Sequence, residues 1–382
     1  MNRRTVAIVM LATCLTVVGC GGDDDDSTTD TSIADTLVPE PSSATEPSVS
    51  EPSASQPSTT RPDTTAQPTT TAAPTTSTTD AALPDPQRLA DVAGVQTIAA
   101  EPFPDWVTIA DGAAWVANVG SGVVGYDLTT ATPMFDVPTG VEVCLGMDSS
   151  PGALWVGACD TTTLYRVNTA DGTIAATIFL PFDSIAEESS IAASDEFAWV
   201  MSAGNDRQIA QISVADNSIV ATFAAPSGAS AMRFLAGSLW VSDDVGSAVH
   251  RIDPTTGEEQ ALIEVDAGAR FLAVGEDHVW VMNNRAGTVS SIDPASNTVT
   301  ATIVASTSPV NGGDIAVGGG FVWARVSEVL VAQIDPSTNT VASRFGPGAG
   351  SGSVAADDDA VWISAHEVLK VWRVPISGRV DG

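Results

Sequence analysis

The sequence predicts an all-β fold: a seven-bladed β-propeller of four-stranded antiparallel blades, preceded by a disordered tether. Three observations carry this prediction. Seven of the nine Trp residues (Trp115, Trp155, Trp199, Trp240, Trp280, Trp323 and Trp362) recur at intervals of 40, 44, 41, 40, 43 and 39 residues. Each lies in the same place within a unit of several short strands, and a period of about 40–45 with that content is a propeller blade. The last unit lacks a fourth strand, and a matching segment stands before the first unit.

The chain opens on residues 1–20, where Arg3 and Arg4 precede an apolar run from Val6 to Val18. The run is short for a membrane span and ends in small residues, so it reads as an export signal. Its close, Val17-Val18-Gly19-Cys20, resembles the bacterial lipobox, which implies cleavage and lipidation at Cys20. Cys14 would leave with the signal. Several acyl chains on one terminus suffice for stable anchoring at the extracytoplasmic face of the membrane.

Residues 21–90 are dominated by Thr, Ser, Pro, Ala and Asp. Little apolar surface is available for burial, so ordering this segment would not be repaid. As a flexible coil its 70 residues span roughly 45–50 Å. Its part is to hold a folded domain away from the membrane.

Residues 91–382 form the repeat array. Strand A of each blade is an apolar run such as 314–320 or 271–277, strand B holds the Trp, and strand C follows 10 to 12 residues after the Trp. The turn after strand C reads Ile-Asp-Pro at Asp253, Asp293 and Asp335, with Asp127, Asn168 and Ser213 in the equivalent place in blades 1 to 3. Such Asp and Asn residues accept backbone hydrogen bonds within the turn, and Pro presets it. Strand D is typified by 297–303 and 339–345. Blade 7 ends without one, and residues 93–100 fit the vacancy, closing the ring and covering a sheet edge. The 292 residues give about 42 per blade. The repeat Trp residues read as packing between blades.

The repeated pattern, best seen in 315–324 followed by 334–345, resembles the YVTN-type propellers and the streptogramin (virginiamycin B) lyase-like propellers. The resemblance implies the fold over about 292 residues and, for the lyases, a metal-dependent site of His and Glu. Propellers carry many unrelated activities, so function rests on the site itself.

The chain carries 47 acidic and 15 basic side chains, a formal charge of −32, which disfavours a nucleic-acid partner. Of that charge, −24 belongs to residues 91–382. After processing, Cys144 and Cys159 remain; they are equidistant from the turn at Pro151-Gly152 and are expected to face each other across the hairpin. Export permits a disulfide there, adding roughly 3 kcal/mol; two buried thiols are the alternative.

In propellers the D–A and B–C loops share one face, where ligands gather. Five of the eleven cations of the array are placed there: Arg207, Arg285 and Arg325 in B–C loops, and Arg233 and Arg270 where strand A begins. A guanidinium suits carboxylate or phosphate. Either these groups form a ligand patch, or they tie loops to Asp206, Asp243, Asp244 and Glu328. Trp106, off the repeat, is a stacking platform or a channel plug. His366 beside Glu367 is the sole catalytic candidate, and Glu187 and Glu188 in the longest D–A loop are the candidate cation ligands. No G-x-S-x-G, HExxH or phosphate-binding loop occurs.

Two functions follow. One is a cell-envelope lipoprotein whose propeller binds a small molecule, glycan or envelope protein without catalysis, as a monomer and without a cofactor. The other is a lyase-like enzyme using the same face with Mg or Ca.

Overall fold

The fold begins with the repeat Trp strands, such as Ala113–Asn118, Ala153–Ala158 and Ala360–Ala365, in which every residue is buried. A strand covered on both faces belongs in the middle of a sheet stack. In the structure, a computed structural model that describes Thr70–Thr71 and residues 82–376, these strands are the second in each of seven four-stranded blades. The signal segment, Cys20 and most of the tether lie outside the described residues. Blades 1 to 6 occupy 104–138, 143–179, 191–224, 229–264, 269–304 and 314–345. Blade 7 consists of Val354–Ala356, Ala360–Ala365, Lys370–Pro375 and, as its outer strand, Gln96–Ala99. Gln96 pairs with Arg373 and Ala99 with Lys370, antiparallel, so the N-terminal strand closes the ring as the sequence predicts.

The repeat Trp side chains are at most 1% exposed. Their indole N–H groups repeat one bond: Trp115, Trp240, Trp280 and Trp323 donate to the carbonyl five residues back, at 3.1–3.3 Å. A buried indole thus finds its partner at the end of its own strand A. Trp199 instead reaches the next blade, donating to Pro254 O at 2.7 Å. Strand-C arginines continue the stitching. Arg166 lies over Trp155 and donates to Val214 O of blade 3, and Arg251 lies over Trp240 and donates to Pro294 O of blade 5. The turn aspartates are structural: Asp253 Oδ1 accepts the N–H groups of Thr255 and Thr256, both at 2.9 Å. Those bonds hold its carboxyl below the usual range. Trp280→Ala is expected to cost about 3–5 kcal/mol in chemical denaturation, the range for an aromatic removed from a close-packed interior.

The innermost strands show their unpaired edges to the channel, and side chains of the preceding blade cover them. Asp148 Oδ2 accepts Ala193 N–H at 2.9 Å, Ser353 Oγ accepts Val107 N–H at 3.1 Å, and Asp314 Oδ2 accepts Val354 N–H at 3.2 Å. Residues 82–92, by contrast, run along the outside of the ring. Residues 82–84 lie against the outer strands of blades 5 and 6. Gln87 then bonds blade 6 twice, its N–H to Arg344 O at 2.8 Å and its carbonyl from Gly346 N–H at 2.7 Å. Leu89 and Val92 pack on the core between blades 6 and 7. In the hairpin of blade 2, Val143 pairs with Ala158, and the register shifts between Val143 and Met147, so Cys144 and Cys159 flank this pair on opposite sides instead of standing directly opposite each other in the ladder.

Candidate functional site

Two groups of ionisable residues occupy the D–A/B–C face. The first surrounds a cavity of about 530 Å³ at blades 3 to 5. Its wall includes Glu187 and Glu188 from the loop before blade 3, Arg207 from a B–C loop, residues 226–230 at the entry to blade 4, Asp244, and Arg270. Three groups are already matched. Arg270 Nη2 donates to Glu188 at 2.6 Å. Arg285, at the margin, donates Nη1 to Asp244 at 3.0 Å. Arg207 is different: Nε donates to Gly204 O at 3.3 Å and Nη1 to Ala229 O, with no carboxylate partner among the described residues. Burial pulls its pKa down.

The entry loop 226–230 holds its shape through Gly228, whose φ is +74°. A Cβ there would stand 2.0 Å from Asp243 Oδ1, the atom that accepts Gly246 N–H at 2.7 Å. Gly228→Val is therefore expected to displace the loop and deform the cavity. Crystallography of the variant should show 226–230 moved and the Gly246 bond broken, with the blades unchanged.

The second group stands where the channel meets this face. Asp105 is 6% exposed, and His366 Nε2 lies 3.9 Å from its Oδ2. Phe103 stacks on the His366 ring at 4.3 Å, and Glu367 accepts Ser351 N–H at 2.9 Å. Burial pushes the Asp105 carboxyl up to about 7, with the charges of Glu188, Asp314 and Glu367 adding to the rise and Arg325 opposing it. Burial lowers His366 in turn. Asp314, wholly enclosed, is pushed up to about 6 by burial.

The face thus gathers Arg207, Arg270, Glu187 and Glu188 at one cavity, with Arg285 at its edge. It does not bring in Arg233, Arg325 or Trp106. Arg233 stands opposite Trp240 in register and lines the central channel, where its charge lowers the carboxyls of Asp148 and Asp314. Arg325 is 1% exposed and spends Nη1 and Nη2 on Val326 O and Gly350 O, and burial draws it down to about 10. Trp106 is 2% exposed, packs against Phe271 and lines the channel. His366 and Glu367 lie together, joined by Asp105, which the sequence does not single out. Its signal was an acid beside an off-repeat Trp at the start of a strand. Among the described residues, no group of three or more His, Cys, Asp or Glu side chains is placed to hold a metal ion.

No family profile matches the chain, and no curated protein matches it. Solved structures do resemble it. Virginiamycin B lyase from Staphylococcus aureus superposes with a TM-score of 0.62 at 16% identity, covering 74% of this chain and 99% of that one. The Myceliophteria thermophila Cps50 (Swd1) propeller domain gives 0.62 at 12% identity, with 74% and 100% covered. U3-55K gives 0.61 at 12% identity, with 74% and 98% covered. At these identities the likeness is one of fold.

Proposed function

We propose that the chain is an exported lipoprotein, anchored through Cys20 at the extracytoplasmic face of the membrane, whose monomeric propeller is a non-catalytic binding module. Its ligand is a polar small molecule, or the polar end of a glycan or envelope protein. The observation that supports this best is the cavity of about 530 Å³ at blades 3 to 5, in which Arg207 has no carboxylate partner among the described residues. Pre-formed concave sites with a few unmatched polar groups are where ligands bind. The ring around it is rigid, stitched blade to blade, so its loops are held in fixed relation.

The cavity is tested by filling it. In ligand-observed NMR with a library of polar small molecules, hits on the wild-type propeller are expected to disappear with Ser227→Trp, whose side chain occupies the space. Hits that persist unchanged, or a library giving none, would remove the reading. Turnover of a streptogramin or lactone that His366→Ala abolishes would replace it with a lyase.

Two parts of the proposal have their own measurements. Cys20→Ala is expected to move the protein from the membrane to the soluble fraction and to stop incorporation of labelled fatty acid. The second is a Cys144–Cys159 disulfide, between residues that flank the Val143–Ala158 pair. Thiol labelling of the unreduced, denatured propeller is expected to find no free cysteine, and labelling of both would reject the cross-link.

A further inference from the structure

The charges around the cavity cancel in pairs until two are left. Glu188 is taken by Arg270 and Asp244 by Arg285. Glu187, exposed on the wall, has neither hydrogen bond nor ion pair among the described residues. Arg207 keeps Nη2 without a protein partner, because only its Nε and Nη1 are used. On the wall shared with Arg207, the N–H groups of Ser227 and Gly228 likewise donate to nothing among the described residues. One cavity therefore holds one unmatched carboxylate and one cluster of unmatched donors centred on a guanidinium. Its wall is more polar than apolar, the apolar part coming from Pro226, Ala229 and Val245.

We propose that this cavity binds a small zwitterion carrying both a free carboxylate and a free ammonium group, as an amino acid or short peptide does. The carboxylate is received by Arg207 Nη2 and the Ser227 and Gly228 N–H groups. The ammonium is received by Glu187. A guanidinium is suited to a carboxylate, and backbone N–H groups complete its lone pairs. A ligand with only one of the two charges leaves the opposite group of the cavity unanswered, and that difference is the source of selectivity. This inference rests on the binding-module reading and narrows it to a ligand class.

The test uses three probes that differ only at their ends: trialanine, N-acetyl-trialanine, which lacks the ammonium, and trialanine amide, which lacks the carboxylate. Isothermal titration of the purified propeller is expected to show trialanine binding about tenfold or more tighter than either, the effect of one charge-assisted contact. Arg207→Gln is expected to remove the advantage over the amide, and Glu187→Gln the advantage over the acetylated peptide, the latter with the melting temperature unchanged. Equal binding of trialanine and its acetylated form overturns the zwitterion and leaves the binding module standing. Equal binding of trialanine and the amide does the same. Binding by none of the three also overturns the zwitterion, and the library experiment with Ser227→Trp then decides the binding module by itself.

Discussion

Asp105→Asn is expected to stabilise the propeller at pH 8 by about 4 kcal/mol and to leave it nearly unchanged at pH 4. The magnitude follows from a carboxyl that titrates at about 7 in the folded chain against 3.8 when free of it, at about 1.4 kcal/mol per unit. The sign is that of a raised acid. Between those two values the folded chain holds the proton that the unfolded chain has released, so stability falls as pH rises through the window and levels off above it. Asn resembles the protonated acid at every pH, so the loss disappears. Calorimetry at pH 4, 6 and 8 measures it, with a rise in melting temperature of roughly 5–10 °C at the highest pH. Some pH dependence remains from Asp314, which is also raised, to about 6. Equal melting temperatures for the two proteins at pH 8 would mean that Asp105 is ionised without cost. A substitution that stabilises in this way marks a residue whose presence folding does not explain.

Removing residues 1–100 is expected to abolish a stable monomer, whereas removing 1–81 is expected to leave the melting temperature within about 2 °C, the scale of a change under 1 kcal/mol. The longer deletion takes Gln96–Ala99 from blade 7 and exposes the edge of Lys370–Pro375. It also takes Ala100 and Ile98 from the core around Trp362. An uncovered edge invites pairing with a second chain. Size-exclusion chromatography and thermal melts of the two truncations distinguish the cases. A monomeric, cooperatively melting product of the longer deletion would show that the ring does not depend on its N-terminal strand.

The architecture was legible because it is periodic. The Trp interval, the Asp turns and the vacancy in blade 7 are each repeated or conspicuous by their failure to repeat, and strand packing enforces them in every blade. The site was only partly legible, because its residues are the ones that depart from the period. Arg233 and Arg270 illustrate the difficulty. The strings around them match, yet Arg233 lies seven residues before its Trp and Arg270 ten. Depth along strand A is counted from the Trp, through the antiparallel register, so Arg233 falls opposite Trp240 and inside the channel. Arg270 stays at the strand entrance and meets Glu188, 82 residues earlier in the chain. Local similarity misled where register decides. Asp105 escaped notice for a related reason: its carboxyl is raised first by burial and then by Glu188, Asp314 and Glu367. Those residues come from distant blades, and only closure of the ring brings them together.

The path of residues 82–92 has a mechanical consequence. A pull on the chain ahead of Ala82 meets the outside of the ring before the closing strand: Thr70–Thr71 pair with the outer strand of blade 4, and two backbone bonds fasten Gln87 to the outer strand of blade 6. The ring-closing strand begins nine residues later, at Gln96. Tension is therefore delivered to the rim, and the clasp that holds the circle shut is shielded by a strain relief, much as a knot in a cable spares its plug. The load path also bypasses the D–A and B–C loops, so a stretched leader need not distort the cavity between blades 3 and 5.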